Sequence, residues 1–124
     1  MVTLELRLET LTRLHWLGIV CAAITGLIHL GLGVSFIDSP LGWSFLAAGA
    51  GFFAGILLVI FDIRRRLVYL LGIPFTAVQI PLWWIINDLQ PADLLEPTIG
   101  EFDKTVQVVL IVVLIVLYVR ESKS

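Results

Sequence analysis

The chain has 124 residues, 8 of them basic and 10 acidic, for a formal net charge of −2, and its mean hydropathy is +1.02. With 59% apolar or aromatic residues and 15% charged, against roughly 25% charged in soluble domains, it is excluded from the ordinary water-soluble class. A near-balanced charge also excludes the basic surface that nucleic acid requires.

Charges are clumped rather than spread. None lies between Arg13 and Asp38, between Asp38 and Asp62, between Arg66 and Asp88, or between Lys104 and Arg120. Gaps of that length match the roughly 20 residues needed to cross a bilayer core of about 30 Å. The predicted architecture is therefore all-α, a bundle of four transmembrane helices over about 14–37, 41–62, 67–87 and 102–120, forming a single membrane domain over 1–124. Helices are required because backbone groups in lipid must find partners within their own segment.

Residues 2–13, VTLELRLETLTR, precede the first span. They alternate apolar and polar as a strand would, but Leu4, Leu8 and Leu11 also line one side of a helix, and a short amphipathic interfacial helix is expected. The first span is too long for the apolar region of a cleaved signal peptide and should persist as a helix. Its Cys21, alone in the chain, has no internal disulfide partner and reads as a small core residue. Gly18, Ala22 and Gly26 recur every four residues, as Ala47, Gly51 and Gly55 do in the second span. Small residues at that spacing let two backbones approach, so helices one and two are expected to pack on these stripes; a homo-oligomer interface is the alternative.

Between them, Asp38-Ser39-Pro40 makes a tight turn, with Ser39 as N-cap and Pro40 at the first helical position. Arg64, Arg65 and Arg66 form the next short loop, and Asp62 is placed to pair with one of these arginines. The third span carries Pro74 and Pro81, which remove backbone donors and should kink the helix, turning its freed carbonyls toward protein. A longer connection from Asp88 to Thr98 follows, and Thr98 with Glu101 fits a capping box that would start the last helix near residue 99. That helix, with no small residue between Val106 and Val119, is expected at the lipid-facing periphery.

Polar groups inside spans are functional candidates. His29 is the one ionisable residue read as lying well inside a span, and Thr25, His29 and Gly33 share a face. Gln79 falls at a similar depth, so His29 and Gln79 are expected to meet across helices one and three and, with Thr25 and Thr76, to form a small polar site. Its bland version is mutual hydrogen bonding; its functional version is a pocket for a headgroup, a quinone or a proton path. His15 and His29 are separated by about 21 Å of helix, as in diheme cytochrome b helices. Ligating hemes would need two further histidines from a symmetric partner, and no cofactor or metal is assigned.

Orientation follows from charge. With an inside amino terminus, the inside holds Arg7, Arg13, Arg64, Arg65, Arg66, Arg120 and Lys123, and the outside holds Lys104 alone. The positive-inside rule then puts both termini in the cytoplasm of a multi-pass cell-membrane protein. Aromatic residues agree, with Trp16, Tyr69 and Tyr118 near the inner interface and Trp43, Trp83 and Trp84 near the outer one.

Size resembles that of small multidrug transporters and fluoride channels, but the embedded glutamate of the transporters' first helix is missing and the charge bias is strong. No phosphate-binding loop, Cys/His cluster or activated nucleophile is evident. The stretches TGLIHLGLG at 25–33, DSPLGWSFLAAGAG at 38–51 and RRRLVYLLGIPFTAVQIPLWWIIN at 64–87 resemble a family of small four-helix haloarchaeal membrane proteins classed as a domain of unknown function. That resemblance implies the four-helix fold and no activity. The expected role is a non-enzymatic accessory, scaffold or assembly partner in the lipid bilayer, working with a larger membrane protein. The alternative is a small homo-oligomeric transporter or channel with a polar pocket near His29 and Gln79.

Overall fold

A computed structural model of the chain describes residues 8–87 and 99–121. A 3-10 turn, Leu8–Thr10, leads into five helices: α1 (Arg13–Ser35), α2 (Pro40–Ile60), α3 (Arg65–Ala77), α4 (Gln79–Ile86) and α5 (Ile99–Glu121). Four stretches, Arg13–Ser35, Pro40–Ile60, Arg65–Ile86 and Ile99–Glu121, are long and apolar enough to cross a membrane. The described residues contain no strand. Most of the expected amphipathic N-terminal helix, the connection from 88 to 98, and the Thr98 half of the proposed capping box lie outside the described residues.

Local chemistry sets the helix ends. Thr12 caps α1: its hydroxyl accepts from the His15 backbone N–H, while the His15 ring nitrogen Nδ1 accepts from the Thr12 backbone N–H at 3.0 Å. Ser39 caps α2 by accepting from Gly42 N–H, and Pro40 occupies the first turn, where its missing donor would be unpaired in any case. Between α2 and α3 the chain turns on two left-handed non-glycine residues, Asp62 at φ 55° and Arg64 at φ 48°. Such residues cost about 1–3 kcal/mol each unless their surroundings hold them. Here Arg65 holds the turn, donating from Nε to the Val59 carbonyl at 2.8 Å and pairing with Asp62 at 3.3 Å.

The third membrane-length stretch is broken at Val78. Pro74 lies inside α3, and Pro81 is the third residue of α4, denying an N–H to the Ala77 carbonyl. The Gln79 side chain, donating to the Phe75 carbonyl at 2.9 Å, bonds the backbone across the break. The expected kink is thus a one-residue interruption.

Helices α1 and α2 pack closely, but on a different stripe from the one read in the sequence. A Cβ added to Gly49 would lie 3.0 Å from the Gly26 carbonyl oxygen, and one added to Gly33 the same distance from that of Gly42. Gly26 belongs to the contact as expected; its α2 counterparts are Gly42 and Gly49. Gly51 and Gly55 point toward α3, their added Cβ atoms meeting Phe75 and Val68, and Ala47 is exposed. On α1, Gly18 faces Val113 of α5, while Ala22 packs in a cluster with Phe52, Val106 and Leu110. Cys21 is buried in the same cluster.

The expectation for the last helix is corrected outright. Rather than lying at the periphery, α5 packs against both α1 and α3 and buries Asp103, Lys104, Val106, Gln107, Leu110, Val113 and Leu117. With no small residue between Val106 and Val119, it fills space there with Val and Leu where α1 and α2 remove it with Gly.

Candidate functional site

Two regions of the bundle carry polar chemistry. The first lies toward the end remote from the arginine turn. Thr25 on α1 is fully buried and donates its hydroxyl proton to Asp103 of α5. Gln107, one turn along α5 and equally buried, donates from Nε2 to the Thr25 hydroxyl at 3.1 Å and to Gln79 Oε1 at 2.7 Å. Lys104 closes the set, its Nζ 2.8 Å from Asp103 Oδ2. A chain of hydrogen bonds therefore joins α1, α4 and α5 through Thr25, Gln107 and Gln79, with an ion pair beside it.

His29 does not meet Gln79. Its Nδ1 lies 2.7 Å from the Thr25 carbonyl on its own helix, and its ring sits against Phe45 and Phe52 of α2 at centroid distances of 5.9 and 5.8 Å. A helix spacing of four, which put Thr25 and His29 on one face, also lets His29 bond back to the preceding turn, and that local partner wins. Gln79 is tied instead to Gln107. Thr76 is buried but opens on the second region, so the four expected residues do not form one site.

Composition alone does not single out Asp103, Lys104 and Gln107: Lys104 counts only as an outside charge, Asp103 stands next to it at the end of the span, and Gln107 sits among valines. The signal was present: Asp103, Val106, Gln107, Leu110, Val113 and Leu117 follow a three-to-four spacing that places them on one helical face.

The second region is a cleft of about 440 Å³ between α2 and α3, floored by α1 and α5. Its walls are chiefly Leu, Ile, Val and Phe, with Gly51, Gly55 and Gly72 widening it. At the arginine-turn end the lining becomes polar, with His15, Tyr69 and Arg64. His15 and Tyr69 rings lie 6.4 Å apart between centroids without a hydrogen bond. His15 Nε2, Tyr69 Oη and Arg65 Nη2 are all buried and have no partner. Each such group costs about 1–3 kcal/mol while it remains unpaired. Because His15 Nδ1 accepts from the Thr12 N–H, the ring proton sits on Nε2, which is therefore a donor. Nearby, Arg66 donates to the Tyr118 hydroxyl at 3.2 Å and lies over its ring at 5.0 Å, an exposed cation-π contact at the arginine-turn end.

Membrane-length apolar helices around a buried polar network define a polytopic helical-bundle membrane protein. The chain belongs to a family described as a family of unknown function (DUF7475), which matches residues 6–118. No curated protein and no solved structure matches it.

Proposed function

We propose that this protein is a non-enzymatic accessory or scaffold of the membrane, with both termini in the cytoplasm, that serves as an assembly partner for a larger membrane protein. The observation that carries the reading is that its intramembrane polar side chains bond chiefly to one another, with Gln107 Oε1 alone of that set buried without a partner among the described residues. Thr25, Asp103, Lys104, Gln107 and Gln79 bond to one another, and none of them, nor His29, lines the cleft. Such a network holds helices together and presents no polar surface to a permeating solute. The cytoplasmic orientation is supported by the arginines at one end of the bundle, and Lys104, paired with Asp103, does not act as a free loop charge at the other.

Extraction of the tagged chain into native-membrane particles tests this: stoichiometric recovery with one larger membrane assembly is expected. A second reading, a small homo-oligomeric transporter or channel, is favoured by the buried Asp103–Lys104 pair, since ionisable groups within spans often mark transport paths. Recovery as a homo-oligomer that dissipates a proton or cation gradient in proteoliposomes would replace the first reading with the second.

A further inference from the structure

We propose that the cleft between α2 and α3 binds one anionic phospholipid, one of its acyl chains lying along the apolar walls and its phosphate and ester oxygens accepting hydrogen bonds from His15 Nε2 and Tyr69 Oη. This goes beyond an accessory role and does not depend on it.

Three observations point to such an occupant. The unpartnered atoms at the polar end are hydrogen-bond donors: the His15 Nε2–H by its tautomer, Tyr69 by its hydroxyl and Arg65 by its guanidinium. Tyr69 is 1% exposed and His15 8%, so both side chains are withdrawn from the surface, and both residues line the cleft. What fits is a group rich in acceptor oxygens. Charge favours an anionic head at the mouth, where Arg64 lines the cleft and is exposed; Arg65, one helical turn from Tyr69, is paired with Asp62, and Glu121 is the opposing charge near His15 and Tyr69.

Shape decides the tail. Along α3 the cleft runs from Arg64 to Thr76, roughly 18 Å of helix at 1.5 Å per residue, with apolar walls beyond Tyr69. Its volume of about 440 Å³ falls within the roughly 300–1,000 Å³ typical of small-molecule sites. Water could satisfy the donors but not the Leu, Val and Phe walls above them. A second copy's helix would fill the walls, but its backbone donors and acceptors are already paired, leaving His15 and Tyr69 as they are. Depth agrees as well, since His15, Arg64 and Tyr69 lie within about a turn of the helix ends, where headgroups sit.

The test reconstitutes the full chain in bilayer discs of equimolar phosphatidylglycerol and phosphatidylcholine and reads retained lipid by native mass spectrometry after release into detergent. One phosphatidylglycerol per chain is expected, in preference to phosphatidylcholine. Tyr69→Phe should lower retention about tenfold, the worth of one hydrogen bond to a charged group. Because the Tyr69 hydroxyl bonds to nothing in the lipid-free protein, this variant should fold as the parent does. Gly55→Phe, which fills the cleft from α2 where an added Cβ meets only Val68 at 3.8 Å, should abolish retention, while Val112→Leu on the exposed side of α5 should leave it unchanged. Equal retention of the two lipids, unchanged retention in Tyr69→Phe, recovery of an isoprenoid quinone in place of phospholipid, or a dimer without bound lipid would each overturn the proposal.

Discussion

Asp103 and Lys104 are 3% and 9% exposed, and they form the one ion pair among the described residues in which both partners are buried. Replacing Asp103 with Leu would leave the Lys104 ammonium without its carboxylate and the Thr25 hydroxyl without its acceptor. Breaking a buried pair by removing one partner typically costs about 3–5 kcal/mol. The lower figure applies here, because Lys104 is five residues past the start of α5, about 7.5 Å along the axis, and can extend its ammonium toward the interface. Asp103→Leu is therefore expected to cost about 3 kcal/mol, read from equilibrium unfolding by SDS in mixed micelles with helicity as the signal. The double variant Asp103→Leu/Lys104→Met should recover most of that loss, since an apolar pair of similar volume is often neutral or better. The two single costs should thus fail to add by about 2 kcal/mol. Additive costs, or an Asp103→Leu cost no greater than that of Val112→Leu, would show that no buried pair holds α5 in place.

Gly49→Leu should destabilise by at least about 1–3 kcal/mol in the same assay, because even a Cβ there lies 2.7 Å from Leu30 and 3.0 Å from the Gly26 carbonyl. Gly51→Ala should be far milder, its Cβ meeting only the far end of the Phe75 ring; equal costs would misplace the helix contact. His29→Leu should cost about 1 kcal/mol through the lost bond to the Thr25 carbonyl and the lost ring contacts with Phe45 and Phe52, and an unchanged midpoint would contradict that packing. For topology, single cysteines at Ser124 and Thr98 in a Cys21→Ala background should react oppositely with an impermeant thiol reagent, and same-side labelling would refute four crossings.

The spans were legible because hydropathy and charge gaps report the solvent, and the solvent is lipid. Short-range chemistry was legible too: Ser39-Pro40 starts α2, and Asp62 pairs with Arg65. Helix-facing was read less well. A four-residue spacing advances about 400° around a helix, so the stripe 47-51-55 rotates some 40° per step away from its starting face. A seven-residue spacing drifts only about 20°, and the contact uses Gly26 and Gly33 against Gly42 and Gly49. For α5, a run from Val106 to Val119 without a small residue suggests a helix without close partners, whereas large side chains meeting α1 and α3 do the packing. The polar site is half legible in the sequence: Thr25 and Gln79 do join one network, but through Gln107, which sits among valines and carries no charge to mark it.

The placement of α5 bears on how the protein is made. Thr25 and Gln79 belong to segments that leave the ribosome before α5, yet their cross-helix partners, Asp103 and Gln107, are both on it. Until that helix arrives, two of the three earlier crossings hold polar side chains in lipid without those bonds, and the floor of the cleft is missing its Leu110, Leu114 and Leu117. The first three crossings are thus an unfinished object during synthesis. A nascent chain halted before residue 99 should be recognised by membrane quality control as incomplete, because α5 is the helix that supplies the partners of the earlier three crossings.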